Sequence, residues 1–182
     1  MTTDIPARFA FKKIDHVGLM VRNLDVSEEW YTRVLGAVPF ARVGYEADDK
    51  TIMKAPYRHL FVQLHEQRLE LVESPDWRGF NRKDDFSMSP HYAFAVSPEA
   101  LDWYMQRFDE TGVKWQGPIV HPPMTVASIY FTDPDSNHLE LAAWEGYDHS
   151  KAHTDYIHWD ELHQESDPAR PAHIKPGQFA GQ

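Results

Sequence analysis

No cysteine occurs in the 182 residues, which excludes disulfides, thiolate metal sites and a cysteine nucleophile. The absence says little about compartment, because an exported protein can also lack cysteine. Positive charge is short as well: 18 Lys and Arg stand against 28 Asp and Glu, a net charge of -10. Nucleic acid needs a Lys/Arg surface for its phosphates, and anionic membranes make the same demand, so neither is an expected partner. Long apolar runs are missing too. No window approaches the ~20 apolar residues of a membrane span, and the opening MTTDIPARFAFKKIDH lacks the apolar core of a secretory signal, so a cytoplasmic protein is expected. What is present suffices for a globular core, with 42% hydrophobic residues. Histidine is plentiful. Of eleven in all, His16, His59, His65, His91, His121 and His138 precede a polar, proline-bearing tail that starts near residue 146.

The residue string repeats itself. Asp15-His16-Val17 opens a stretch that reaches Trp30-Tyr31 and Gly36, and Pro90-His91-Tyr92 opens another that reaches Trp103-Tyr104 and Gly112. Each stretch ends in Leu-Glu-Leu, at Leu69-Glu70-Leu71 and at Leu139-Glu140-Leu141. Two His and two Glu therefore occupy equivalent places in two similar halves. The pattern points to a metal centre built across a pseudo-twofold axis.

Periodicity gives both halves the same element order. Alternation from Ile14 to Val21 reads as a strand with His16, Gly18 and Met20 on one face. A helix follows, with Asp25 and Glu28 as a capping box, a stripe of Trp30, Val34 and Leu35, and Gly36 as its stop. Strands are predicted near 38–43, 59–64 and 68–72. In the second half, alternation from His91 to Val96 puts His91, Ala93 and Ala95 on one face. Ser97-Pro98 then caps a helix that runs to Gly112. Strands near 114–120, 126–131 and 138–142 follow, the last two joined by an Asp133-Pro134-Asp135-Ser136-Asn137 turn in which Asn137 is expected to take the left-handed position. The fold class expected is α+β: two βαβββ modules forming a curved eight-stranded mixed sheet with helices outside. The first module spans 12–75, a linker 76–89, the second module 90–145 and a polar C-terminal extension 146–182.

Small neighbours at Gly18, Ala93 and Ala95 leave space before both imidazoles. Glu70 and Glu140 stand between leucines that point the other way. If those leucines pack under the helices, His16, Glu70, His91 and Glu140 all face the concave side. Two imidazoles and two carboxylates can hold one divalent metal, with Ni, Co, Zn, Fe and Mn all open. Such an ion polarises carbonyl and hydroxyl oxygens, or as Fe(II) binds O₂ beside a chelated diol. Among other candidates, Glu73 lies three residues beyond Glu70, and Lys54, Arg42, Arg58 and Arg68 read mainly as surface charges. His149 and His153 have a helical metal spacing. Trp30, Tyr31, Trp103 and Tyr104 read as packing of helix on sheet.

IDHVGLMV, a helix ending VLGAVPF, RLELVES, HYAFAV and SIYFTDPDSNHLEL together resemble the vicinal oxygen chelate superfamily over about residues 12 to 145. That superfamily includes glyoxalase I, methylmalonyl-CoA epimerase, fosfomycin-resistance transferases, extradiol dioxygenases and bleomycin-binding proteins. The resemblance implies His16, Glu70, His91 and Glu140 as metal ligands, and a metal-dependent lyase or isomerase acting through an enediolate on a small oxygenated substrate. Glu70 or Glu140 would be the base. It also implies an alternative, because His121, Tyr130 and Glu140 look like the His, Tyr and Glu that close the site of Fe(II) extradiol dioxygenases, which cleave catechols. A third reading, a metal-free drug-binding resistance protein, fits less well with an intact ligand set. In the glyoxalase-like arrangement, His16 and Glu70 of one chain meet His91 and Glu140 of another, so a homodimer is expected.

Overall fold

The computed structural model describes residues 13–44, 58–77, 90–154 and 157–162. Residues 78–89 of the expected linker, the tail beyond 162 and Lys54 lie outside the described residues. Two βαβββ modules follow one another. The first comprises β1 (Val17–Val21), α1 (Leu24–Leu35), β2 (Val38–Val43), β3 (His59–Leu64) and β4 (Gln67–Glu73). The second comprises β5 (Tyr92–Ala95), α2 (Pro98–Thr111), β6 (Trp115–Val120), β7 (Ala127–Thr132) and β8 (His138–Ala143), and a short α3 (Trp159–Leu162) comes after it. The eight strands form two mixed sheets of four, ordered β1-β4-β3-β2 and β5-β8-β7-β6. In each, the first strand lies parallel to the last, with Gly18 opposite Glu70 and Ala93 opposite Glu140.

Helix ends obey local chemistry. Gly36 and Gly112 stop α1 and α2 at φ 70 and φ 71, a left-handed conformation that a Cβ disfavours. Ser97 caps α2 and its hydroxyl accepts from Ala100 N. At α1 the cap is Asn23 rather than Asp25: its side chain, on extended backbone, accepts from Asp25 N and Val26 N, and the helix has begun by Leu24. An Asn two residues earlier outcompetes the expected capping box.

One core joins the modules. Leu19, Val21, Leu60, Val62, Leu69 and Leu71 of the first sheet share it with Ala127, Ile129, Phe131, Leu139 and Leu141 of the second, and with Trp30, Tyr31, Val34, Leu101 and Phe108 of the helices. Each fully buried side chain of this size contributes about 1.5–3 kcal/mol. Trp30 stacks on Phe131 across the module boundary, ring centroids 6.4 Å apart. Trp103 departs from expectation. It is 55% exposed and meets Tyr104 edge-on at 4.9 Å instead of packing under a sheet.

The β7–β8 turn fastens the two halves. Asp133 Oδ1 accepts from the backbone N–H groups of Asp135 and Asn137, while Oδ2 accepts from Tyr31 Oη at 2.9 Å and from Asn137 Nδ2. Asn137 Nδ2 also donates to Met20 O, and Arg22 Nε donates to Asp135 Oδ1 at 2.6 Å. Ser136 itself takes the left-handed conformation at φ 62, not Asn137. Asn137 is needed in register, where its amide holds Asp133 and β1.

Candidate metal centre

Because a strand alternates faces, the core leucines decide where the carboxylates point. Leu69 and Leu71 are fully buried in the shared core, so Glu70 faces the opposite side of the first sheet; Leu139 and Leu141 turn Glu140 to the opposite side of the second. The histidines lie on those same faces. His16 Nε2 is 3.4 Å from Glu70 Oε2, and His91 Nε2 is 2.7 Å from Glu140 Oε2. Gly18 keeps the first face clear: a Cβ there would lie 3.9 Å from Glu70 Oε2.

Each pair has further partners. In the first module His59 Nδ1 lies 2.8 Å from Glu70 Oε1, which makes a chain His16, Glu70, His59 along one face. Phe61, directly opposite Glu70 in the β3–β4 register, meets the His16 ring edge-on at 6.0 Å. In the second module the residue opposite Glu140 is Tyr130, whose hydroxyl donates to Glu140 Oε1 at 3.3 Å and lies 2.7 Å from His121 Nε2. Burial works against ionisation of Glu140, yet the hydrogen bond and charge of His91, with help from Ser128 and Tyr130, hold its carboxyl below the usual range. Burial and the neighbouring Glu140 charge push the Tyr130 phenol well up. Glu140 is thus kept as an anion and Tyr130 as a neutral donor.

The two pairs do not meet within one chain. Their faces turn away from the core the modules share, and among the described residues no group of three or more His, Asp or Glu is arranged to hold a metal. A cavity of about 560 Å³ lies elsewhere, bordered by His65, Glu66, Phe94, Trp103 and Tyr104, and holds none of the four residues.

Other candidates separate clearly. Glu73 points to the helix side, bound by Arg58 Nε at 2.7 Å and accepting from Leu24 N. Arg42 pairs with Glu28 of α1. Of the candidates Arg42, Arg58 and Arg68, the last shares the Glu70 face, 3.5 Å from Asp15 and over the Phe40 ring. His149 and His153 are not on one helix: His149 opens a 3-10 turn and reaches Thr125 O, while His153 bridges to Ile119 of β6. A Ser-Lys-Ala run after His149 is too short to continue a helix once the backbone joins that edge. Residues that sequence reasoning passed over are His59 and Trp159. Strand alternation sets His59 beside Phe61 on the Glu70 face, which was a usable signal; nothing local marks Trp159.

A duplicated βαβββ frame with a His and a Glu on the open face of each sheet defines a class of paired-module proteins. A family model for the glyoxalase/bleomycin resistance protein/dioxygenase superfamily matches residues 13–141, and the chain belongs to this superfamily, that of the vicinal oxygen chelate proteins. Solved structures agree on the fold. A glyoxylase/bleomycin resistance protein/dioxygenase domain from Frankia sp. EAN1pec is 25% identical with TM-score 0.56, over 77% of this chain and 97% of that one. The fosfomycin resistance protein FosX from Listeria monocytogenes is 19% identical with TM-score 0.55, over 74% and 94%. A second FosX structure from that organism, complexed with Mn(II) and sulfate, is 22% identical with TM-score 0.53, over 74% and 93%.

Proposed function

We propose that this protein is a metal-dependent lyase or isomerase that moves a proton on a small oxygenated substrate, with one divalent ion held by His16, Glu70, His91 and Glu140. The observation that carries the reading is the paired geometry: at equivalent register in each module a His Nε2 already touches a Glu Oε2 on the face away from the core. The donor set fits the ion. Two imidazoles and two carboxylates suit Ni, Co, Zn, Fe or Mn alike, and the Mn(II) of the FosX structure belongs to that range. Bound there, the ion supplies a Lewis acid for adjacent substrate oxygens.

The chain's own groups do the rest. Glu140, buried and held ionised by its neighbours, is the fixed ligand. Glu70 is less enclosed and has His59 at its second oxygen, which suits it to accept and return a proton. His59 holds the Glu70 plane, leaving Oε2 on the His16 side. Since the four residues form no single group among the described residues of one chain, a second copy completes the centre: the first module of one chain lies over the second module of the other, and a homodimer carries two centres.

A second reading is a ring-cleaving Fe(II) dioxygenase. It is favoured by the hydrogen-bonded series His121, Tyr130, Glu140, which joins the three residues that resemble that branch.

Metal content tests both the site and the pairing. The protein, loaded with each of the five ions in turn and freed of loose metal, is expected to retain about one ion per chain, and His16→Ala and His91→Ala about none. A refolded mixture of these two variants regains metal if the centre is shared, because each mixed dimer has one intact set of four. No retained ion in the parent protein overturns the metal centre, and no recovery in the mixture overturns the shared dimer. Proton exchange against oxygen uptake on a catechol panel then separates the two activities.

A further inference from the structure

The second sheet would present Ser128, Tyr130, Thr132, His138 and Glu140 on its open face, yet every one of them is buried. The C-terminal segment covers three of them, Tyr130, Thr132 and His138. It first joins the edge of β6, where His153 N donates to Pro118 O at 3.1 Å and His153 O accepts from Val120 N at 2.8 Å. It then crosses the sheet. Gln116 accepts from His158 N at 2.7 Å and donates to His158 O, and Thr132 Oγ1 donates to Leu162 O at 2.8 Å. Trp159 and Leu162 form a small apolar cluster with Ile119 and Tyr130, separate from the main core.

Trp159 occupies the flank of the candidate centre. Its ring lies on His138, centroids 4.0 Å apart and planes within 6°, two residues before Glu140 on β8. It meets Tyr130 edge-on at 5.6 Å and stands 6.0 Å from the His91 ring. The indole is 6% exposed and its N–H has no hydrogen-bond partner among the described residues. Buried donors are almost always paired, and an indole can only donate. On the other flank His91, Ala93 and Ala95 are exposed, so the approach stays open along β5 alone.

We propose that His153 and residues 157–162 form a built-in wall of the metal-ligand site, with Trp159 as a specificity residue. The ring limits the ligand to a compact molecule entering from the β5 side, and the indole N–H donates to one of its oxygens. This rests on the reading of His91 and Glu140 as metal ligands. The wall gives the buried indole donor a partner, which arrives with the ligand. It also assigns the tail a place in recognition that neither sheet supplies.

The test uses the full chain loaded with Mn(II), with catechol and 4-tert-butylcatechol as compact and bulky oxygen chelators, and calorimetric titration as readout. Wild type is expected to bind catechol more tightly than the bulky probe by about tenfold. Trp159→Ala removes that preference while retaining Mn(II). Trp159→Phe keeps the ring and the preference but weakens both probes by about tenfold through the lost donor. The Phe variant carries the test if the Ala variant does not fold. Unchanged preference in Trp159→Ala, or unchanged affinities in Trp159→Phe, with Mn(II) retained, overturns the wall and leaves the metal centre standing. Loss of Mn(II) from wild type overturns the metal centre itself and the wall with it.

Discussion

The two modules hold the same pair of residues in opposite surroundings. On the first sheet His16 and Glu70 look out from an open face, where Met20, Val38 and Phe40 are exposed. On the second, Glu140 lies among side chains that are nearly all buried, and the C-terminal segment packs on its neighbours Tyr130 and His138. The register is equal, but its dressing is not: Phe61 stands where the second module has Tyr130, and His59 where it has Ser128. The hydrogen bond to each carboxylate therefore comes from a different strand position in each half. A duplicated frame places the ligand atoms, and the side chains one and two positions away set how wet and how basic each site is. On the function proposed above, the closed half would hold the ion and the open half would receive a second chain and a substrate.

The largest test of that difference is loss of a carboxylate. Outer partners of a metal ligand are worth about 10–100-fold in affinity, so removal of a ligand itself costs more. Glu140→Gln is expected to lower Mn(II) affinity by more than about 100-fold, and Glu70→Gln by less, because solvent can replace an oxygen on the open face. Tyr130→Phe and His59→Ala, which remove one support from each carboxylate, should each fall in the range of about 10–100-fold. Equilibrium dialysis of the four variants measures this directly. Equal losses from Glu140→Gln and Glu70→Gln would break the comparison between a closed and an open half.

The second test concerns the turns at the ends of the two hairpins. The β3–β4 turn, with His65 at φ 51 and Glu66 beside it, is exposed. The β7–β8 turn is buried, and its Asp133 accepts four hydrogen bonds, one of them from Tyr31 of α1. Asp133→Ala strands a buried phenol and two backbone donors and should cost about 3 kcal/mol in urea unfolding. Glu66→Ala should stay within about 0.5 kcal/mol. A cost under about 1 kcal/mol for Asp133→Ala would mean that the shared core alone joins the modules.

Much of this was legible in the sequence. Alternation about Leu69-Glu70-Leu71 and Leu139-Glu140-Leu141 gave the faces of both carboxylates, and the glycines at 36 and 112 gave the ends of both helices. The cap at Asn23 was missed because two residues able to cap stand two positions apart, and the backbone conformation decides between them. Glu73 was ambiguous in the string and is settled by parity: three residues from Glu70, it falls on the helix side and meets Arg58. Trp159 was out of reach altogether. Its role depends on a chain path that leaves the repeat, turns at residues 149–151 and crosses back over β7, and no local pattern encodes such a return.

The smallest expected effect follows from that parity, and it sharpens the contrast between the modules. Glu73 corresponds in register to Ala143 of the second module, which is simply buried. At this register position the first module ties its helix to its sheet through a charge, Glu73 Oε1 accepting from Leu24 N, and the second does not. The Arg58 hydrogen bond holds the Glu73 carboxyl below the usual range; partial burial opposes this, and Leu24 N–H adds to it. A folded-state value below the unfolded one means that the tie is fully present above the ordinary carboxylate pKa of about 4.3 and is lost as pH falls through the lowered value. Wild type should lose stability across that acid window, and Glu73→Gln should lose less of it, although it starts lower at neutral pH. Ala143→Ser offers the second module no charge and should leave the acid slope as it is. Urea unfolding at pH 7 and at steps below pH 4.5 reads both slopes, with metal removed. If Glu73→Gln retains the whole acid loss, the charge tie of the first module contributes nothing, and the two helices are held by packing alone.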